Sequence, residues 1–252
     1  MKPYDDYPIT KFTGSPANAY FKCKDDRESH LNEAVFSRLA KLVKVDAAEN
    51  DLAVQTAGFG HNNYGILSKY DDKIADAYMF FDDIFPSSKY PSPDRIQNVK
   101  LDGLFYGVEN LSQDFIQKFI ENYLFSVLMS NSDHVRCNNF EFLKDKATNE
   151  ICVAPYFDME RSDLMSSFQT ESACEILQGY ADNVRTLRAQ YKDTHDKFLD
   201  LASSVDVPKL MNLNSHHIRR FMKRSYVNVK EYSETMCTNL TAQTEKMKEF
   251  SK

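Results

Sequence analysis

The stretch "SQDFIQKFIENYLFSVLMS" at 112–130, followed at once by "NSDHVRCNNFEFL" at 131–143, decides how the rest of the chain is read. In its first part Phe115, Ile116, Phe119, Ile120, Tyr123, Leu124, Val127 and Leu128 recur at three- and four-residue steps. That wide apolar stripe predicts a buried helix, with Ser112 as its N-cap. The second part crowds metal-capable and proton-capable side chains into a segment that reads as a loop. "FEFL" (140–143) and "ICVAPYF" (151–157) then read as short strands, with "KDKATNE" (144–150) as the turn between them.

The hairpin matters for the chemistry. Asn138 comes five positions after Asp133, and Asp158 lies just beyond the second strand. A hairpin folds back on itself, so Asp158 can return close to Asn138. One carboxylate and one carboxamide can then hold a hard cation, and Mg²⁺ takes oxygen ligands of this kind together with phosphate and water. Asp133 is left to orient a hydroxyl or take its proton. This division of labour resembles that of kinases, in which a catalytic-loop Asp is followed by an Asn and, after a short hairpin, by a metal-binding Asp. Here "D-H-V-R-C-N" supplies the first two, and "Y-F-D-M-E" supplies the third in place of D-F-G.

Upstream, "TGSPANAYFKCK" (13–24) begins with turn formers and ends in a strand at Ala19–Lys24. "SHLNEAVFSRLAKLV" (29–43) is an amphipathic helix, for which Ser29 or Asn32 is a candidate cap. "DLAVQTAGFGHNNYGILSKYDD" (51–72) reads as a hairpin with strands at 52–57 and 64–69 around Gly58 and Gly60. Kinases need a strand lysine on the α- and β-phosphates and a helix glutamate to orient it. Lys22 and Glu33, in the first turn of its helix, occur in that order. Lys24 is an alternative to Lys22, because residues two apart in a strand share a face.

Four segments together resemble the HipA-like serine/threonine kinases, and in particular the compact HipT- and CtkA-like members. They are "YFKC" (20–23), "NEAVFSRLAKLVKV" (32–45), "ILSKYD" (66–71) and "SNSDHVRCNNFEFL…APYFDMERS" (130–162). The resemblance implies an α+β, bilobal, protein-kinase-like fold. A small mixed N-lobe with a β-sheet and one helix would span 1–71, and a larger, mainly helical C-lobe 72–252. It implies Asp133 as catalytic base and Asn138 and Asp158 as Mg²⁺ ligands. Lys22 would contact ATP, with Glu33 as its helix partner. Gly14 and Ser15 would serve the phosphate loop, and Tyr70 and Asp71 the hinge. Thr13 or Ser15 would be the autophosphorylation site. Two features depart from the family pattern. His134 directly follows Asp133, where the family has its His one position later. The glycine-rich loop has only Gly14 and Ser15 as candidates, and the chain begins close to it, as in the compact members.

The implied activity is an ATP- and Mg²⁺-dependent protein kinase acting on Ser or Thr, with a toxin or translocated effector as its biological form. An antitoxin or a host protein would be the partner. The alternatives are a pseudokinase or nucleotide-binding interaction module, or a lipid kinase, since phosphoinositide kinases also use an Asp-x-x-x-x-Asn loop.

Composition fits a globular protein: 42% hydrophobic, 27% charged, with 18 Phe and 14 Tyr to build a core. A net charge of −6 speaks against direct, non-specific nucleic-acid binding. The basic run "HHIRRFMKR" (216–224) reads as a solvated helix face or as an anion or partner contact. Five scattered cysteines without a CxxC point to a reducing compartment, hence a cytoplasmic protein or one delivered into a host cell. "MKPYDDYPIT" is unlike a signal peptide, and no apolar run approaches the roughly 18 residues that span a bilayer. The "NLT" sequon at 239–241 carries no expectation of glycosylation. Residues from about 170 to 250 carry helical periodicity in several pieces, without an internal repeat.

Overall fold

Strands that alternate buried and exposed residues need an apolar helix to cover one face, and the first half of the chain supplies both. A computed structural model describes residues 10–11, 19–22, 27–56, 62–69, 78–79, 84–85, 100–106, 108–109, 111–131, 142–144, 148–157, 159, 162–165, 171–211 and 228–252. Strands β1 (Thr10–Lys11), β2 (Ala19–Lys22), β3 (Glu49–Thr56) and β4 (Asn62–Lys69) form an antiparallel sheet of order β1-β2-β4-β3. The β3–β4 hairpin pairs Glu49 with Lys69 at one end and Thr56 with Asn62 at the other. The expected hairpin is therefore present, with its first strand starting earlier than predicted. Its tip, including Gly58 and Gly60, lies outside the described residues.

Helix α1 (Arg27–Leu42) packs against β3 and β4, and its Val35, Phe36, Leu39 and Ala40 are fully buried. It starts two residues before Ser29, so neither Ser29 nor Asn32 caps it. Arg27 and Glu28, both good helix formers, extend the helix ahead of the apolar stripe. At its other end the Val45 amide donates to Ala40 O at 2.9 Å and the Lys44 amide to Lys41 O at 3.3 Å, while Lys44 has φ 62°. That is a Schellman stop with a lysine in the left-handed position usually given to glycine.

Helix α2 (Gln113–Leu128) matches the expectation closely. The Ser112 hydroxyl accepts the Phe115 amide at 3.1 Å, and every residue from Asn122 to Leu128 is buried. Three short strands, β5 (Tyr78–Met79), β6 (Phe142–Lys144) and β7 (Ile151–Val153), form a second antiparallel sheet of order β5-β6-β7. Both strands of the expected second hairpin thus pair, with Leu143 opposite Cys152. In the turn, Asn149 takes φ 60°, which asparagine tolerates better than most residues. An aromatic cluster joins helix and sheet. Phe142 stacks on Phe115 at 5.5 Å between centroids, and Phe119 meets Phe105 edge-on at 5.3 Å.

The described residues beyond this sheet are mainly helical, as expected: α3 (Glu171–Gln190), α4 (Lys192–Ser203), α5 (Val207–Met211) and α6 (Val229–Phe250), with a 3₁₀ turn at Asp163–Met165. Asn228 caps α6, accepting the Lys230 and Glu231 amides. The NLT sequon lies inside α6, where the Asn239 amide donates to Leu164 O. A buried polar knot ties α3, α4 and α6 together. Tyr180 Oη lies 2.7 Å from His195 Nε2 and 2.8 Å from Ser251 Oγ, and burial pushes the phenol's pKa up to about 12. No described helix is long and apolar enough to cross a membrane. The basic run 216–224 lies outside the described residues.

Lys44 provides a direct test of how α1 stops. A left-handed conformation costs a non-glycine residue about 1–2 kcal/mol, part of which glycine returns through unfolded-state entropy. Lys44 is exposed, so Lys44→Gly removes no packing. It should raise stability by up to about 1 kcal/mol in urea titration.

Candidate active site

The expected site draws on three segments: α1, the loop that follows α2, and the residues that follow β7. Glu33 sits in α1, and Lys22 is the last residue of β2. Asp133, Asn138, Asp158, Gly14, Ser15, Tyr70 and Asp71 lie outside the described residues, as do His134, Lys24 and Thr13. What the structure describes is the frame from which these segments depart.

Glu33 is only 4% exposed, an uncommon state for a carboxylate. Because α1 begins at Arg27, Glu33 stands about a turn deeper in the helix than expected, and a contact with the helix dipole does not explain it. It turns toward the sheet, where the Asn50 side-chain amide donates to Glu33 Oε2 at 3.4 Å. Asn50 lies opposite Ser68 in the β3–β4 register, and the next row on the same face is Leu52 opposite Ile66. Lys22 of β2 stands opposite that same Ile66. Glu33 therefore approaches the sheet face one row from the register position of Lys22. Asn50 Oδ1, also buried, has no hydrogen-bond partner among the described residues. A buried carboxylate beside a bare carbonyl oxygen is an environment suited to an ammonium group.

The other two segments meet at Ser126, near the end of α2. The Ser126 carbonyl accepts the Asn131 amide at 2.9 Å, two residues before Asp133. The Ser126 hydroxyl lies 3.3 Å from Tyr156 Oη, two residues before Asp158. Further contacts hold the same end. The Asn122 side chain donates to Ala154 O at 3.4 Å, and the Ser162 hydroxyl donates to Met129 O. Ser130, at the root of the loop, takes φ 49°, a left-handed conformation that bends the chain sharply out of the helix.

Tyr156 also links this junction to α1. Its amide donates to Asp46 O at 2.8 Å and its carbonyl accepts the Ala48 amide at 2.9 Å, forming a parallel bridge at Ala47. Ala48 O accepts the Ser37 hydroxyl at 2.6 Å, and that hydroxyl oxygen accepts the Asn50 amide at 3.1 Å. A continuous run of hydrogen bonds thus leads from Glu33 through Asn50, Ser37, Ala48, Tyr156 and Ser126 to Asn131. Nothing in the sequence marks Asn50 and Ser126 as part of the frame, and Tyr156 stands out only as a neighbour of Asp158. Their signal is faint: an asparagine between two acidic residues at the start of a strand, a serine between Phe125 and Val127 in α2, and a tyrosine two residues before the metal-segment aspartate. Among the described residues no group of His, Cys, Asp and Glu is arranged to hold a metal ion.

The architecture is shared with solved structures. A Helicobacter pylori proinflammatory kinase, CtkA, superposes with a TM-score of 0.57 at 13% identity, covering 97% of this chain and 93% of that one. HipA of Shewanella oneidensis MR-1, solved as a toxin–antitoxin complex with HipB and operator DNA, gives a TM-score of 0.55 at 14% identity. That match covers 92% of this chain and 60% of HipA. No family model matches the chain, and no curated protein does. The resemblance to HipA-like kinases therefore holds in three dimensions, as a likeness of fold.

The frame around Glu33 can be tested without assaying any activity. Asn50→Leu removes the amide that donates to a buried carboxylate, and it should destabilise the protein by about 1–3 kcal/mol in urea titration. Asp51→Leu, at the neighbouring exposed position of β3, gives up only its ion pair with Arg38 and should cost less than about 1 kcal/mol.

Proposed function

We propose that this chain is an ATP- and Mg²⁺-dependent protein kinase of the HipA-like type, acting on Ser or Thr. One observation carries the reading. Ser126 anchors both the root of the loop that bears Asp133 and Asn138 and the segment that leads to Asp158. Tyr156 ties that junction to the helix that bears Glu33. A kinase needs these three segments held together, because its catalysis is mostly positioning and charge stabilisation.

In this reading residues 1–71 and 72–252 form the two lobes, and nucleotide binds between them. Lys22 holds the α- and β-phosphates, and Glu33 orients it. The buried carboxylate and the bare Asn50 oxygen support an ammonium partner here. Gly14 and Ser15 approach the phosphates, and Tyr70 and Asp71 meet the adenine and ribose. Asp133 orients the attacking hydroxyl and takes its proton. Asn138 and Asp158 form the donor set for magnesium, one carboxamide and one carboxylate, which suits a cation that keeps most of its shell for phosphate and water. A bound ion would supply charge neutralisation to the nucleotide's phosphates. A reaction that consumes ATP belongs in cytoplasm, the cell's own or that of a cell it enters. HipA's pairing with HipB supports an antitoxin-like protein partner, and a translation component is a candidate substrate class.

A nucleotide-binding module without turnover is the second reading. The observation in its favour is the phosphate loop, where only Gly14 offers glycine's freedom in a chain with seven glycines.

Two measurements separate these readings. With Mg²⁺ and labelled ATP the protein should phosphorylate itself or a generic protein substrate, and Asp133→Ala or Asp158→Ala should abolish labelling. Full labelling in both variants would remove the mechanism. Mg-ATP should also raise the melting temperature, since a ligand at a hundredfold excess over Kd adds about 2.7 kcal/mol. A shift without turnover would favour the second reading, and no shift would defeat both.

A further inference from the structure

Helix α6 touches each of the three segments that the kinase reading requires, through a different polar side chain each time. The Tyr232 hydroxyl donates to Asn32 Oδ1 at 2.7 Å, so it grips α1 at the residue immediately before Glu33. The Asn239 amide donates to Leu164 O at 2.6 Å, in the 3₁₀ turn that follows the Asp158 segment. The Gln243 amide donates to Val127 O at 2.7 Å and to Ser130 Oγ at 3.2 Å, at the root of the loop that bears Asp133.

The spacing along α6 is informative. Tyr232 and Gln243 are eleven residues apart, close to three full turns, so they share a face and stand roughly 16 Å apart. Met236 and Leu240 fill the buried stripe between them. A rigid helix that reaches two segments from one face sets the distance between them. Tyr232 is 4% exposed and Asn32 6%, while Gln243 is fully buried, so none of these bonds exchanges freely with water. Gln243 also leaves its Oε1 buried without a hydrogen-bond partner among the described residues. Burying an unpaired acceptor is unfavourable, and an apolar side chain would fill the position more cheaply. What the glutamine supplies is a directed donor to the carbonyl at the end of α2. Asn32 likewise stands where the apolar stripe of α1 would accept a leucine.

We infer that α6 is a positioning strut, in which Tyr232 and Gln243 act as positioning residues that register the Glu33 helix against the root of the Asp133 loop. Neither touches substrate. The inference deepens the kinase reading and rests on it for the roles of Glu33 and Asp133. It also says where regulation would enter, because a partner that bends or displaces α6 would loosen both halves of the site without occupying it.

The test uses the full chain, with Tyr232→Phe and Gln243→Met, each of which keeps its bulk and loses only its polar contacts. Two quantities are read: phosphoryl transfer from Mg-ATP, as rate at saturation and KM for ATP, and hydrogen–deuterium exchange along the chain. Each variant should lower the saturated rate about tenfold with KM for ATP little changed. Exchange should quicken at 30–36 in Tyr232→Phe and at 126–131 in Gln243→Met, and elsewhere stay as in wild type. Exchange that quickens evenly through the chain, in step with lost stability, would reduce α6 to an ordinary packing element and overturn the inference. So would unchanged exchange at both segments. If wild type transfers no phosphate, the kinase reading has failed, and the two local exchange patterns still decide whether α6 registers the segments.

Discussion

Tyr156 is the residue on which the arrangement depends. Its backbone pairs with Asp46 and Ala48, the short segment that leaves α1. Its ring packs edge-on against Phe125 at 5.0 Å, and its hydroxyl meets Ser126. One residue thus joins the end of the sheet-covering helix, the middle of the core and the end of α2. At 1% exposure it does so without competition from water, which makes each of its bonds directional and hard to replace.

Around that junction the apolar core and the polar contacts do different work. Stability comes from area: the second half of α2 is buried all round, and the phenylalanines at 85, 105, 115, 119 and 142 form one cluster. Such contacts are tolerant of small shifts, because dispersion and hydrophobic burial have little directionality. Hydrogen bonds of Ser126, Asn50, Tyr232 and Gln243 are not tolerant in that way. They tie down particular backbone and side-chain atoms at the places from which the candidate site residues depart. A site that works by positioning needs this second kind of contact more than the first.

Much of the frame was legible in the sequence because it depends on local periodicity. The stripe of 115–128 and its Ser112 cap, the β3–β4 hairpin and the two strands after the polar loop all follow from residue spacing, and all are present. The start of α1 is not legible in the sequence, since Ser29 and Asn32 look like caps while the helix already begins at Arg27 and Glu28. Asn32 is instead one end of a bond to Tyr232, two hundred residues away, and nothing in its neighbours announces that. Lys44 is a similar case. Its left-handed backbone is visible only in the Schellman geometry, because lysine carries no local preference for it.

By itself, then, the sequence determined where the elements lie and which residue types cluster in the loop after α2, because three- and two-residue periods are properties of a single segment. It also carried the likeness to HipA-like kinases, in short motifs at fixed spacing. Only the tertiary structure decided that Glu33 is buried against Asn50, that Ser126 serves both the loop and the Tyr156 segment, and that α6 reaches α1 and the end of α2 from one face. Apart from the bond between Ser126 and Asn131, each of those is a contact between residues far apart in the chain. Such a contact depends on how the elements pack, and the spacing of residues along one element does not encode that.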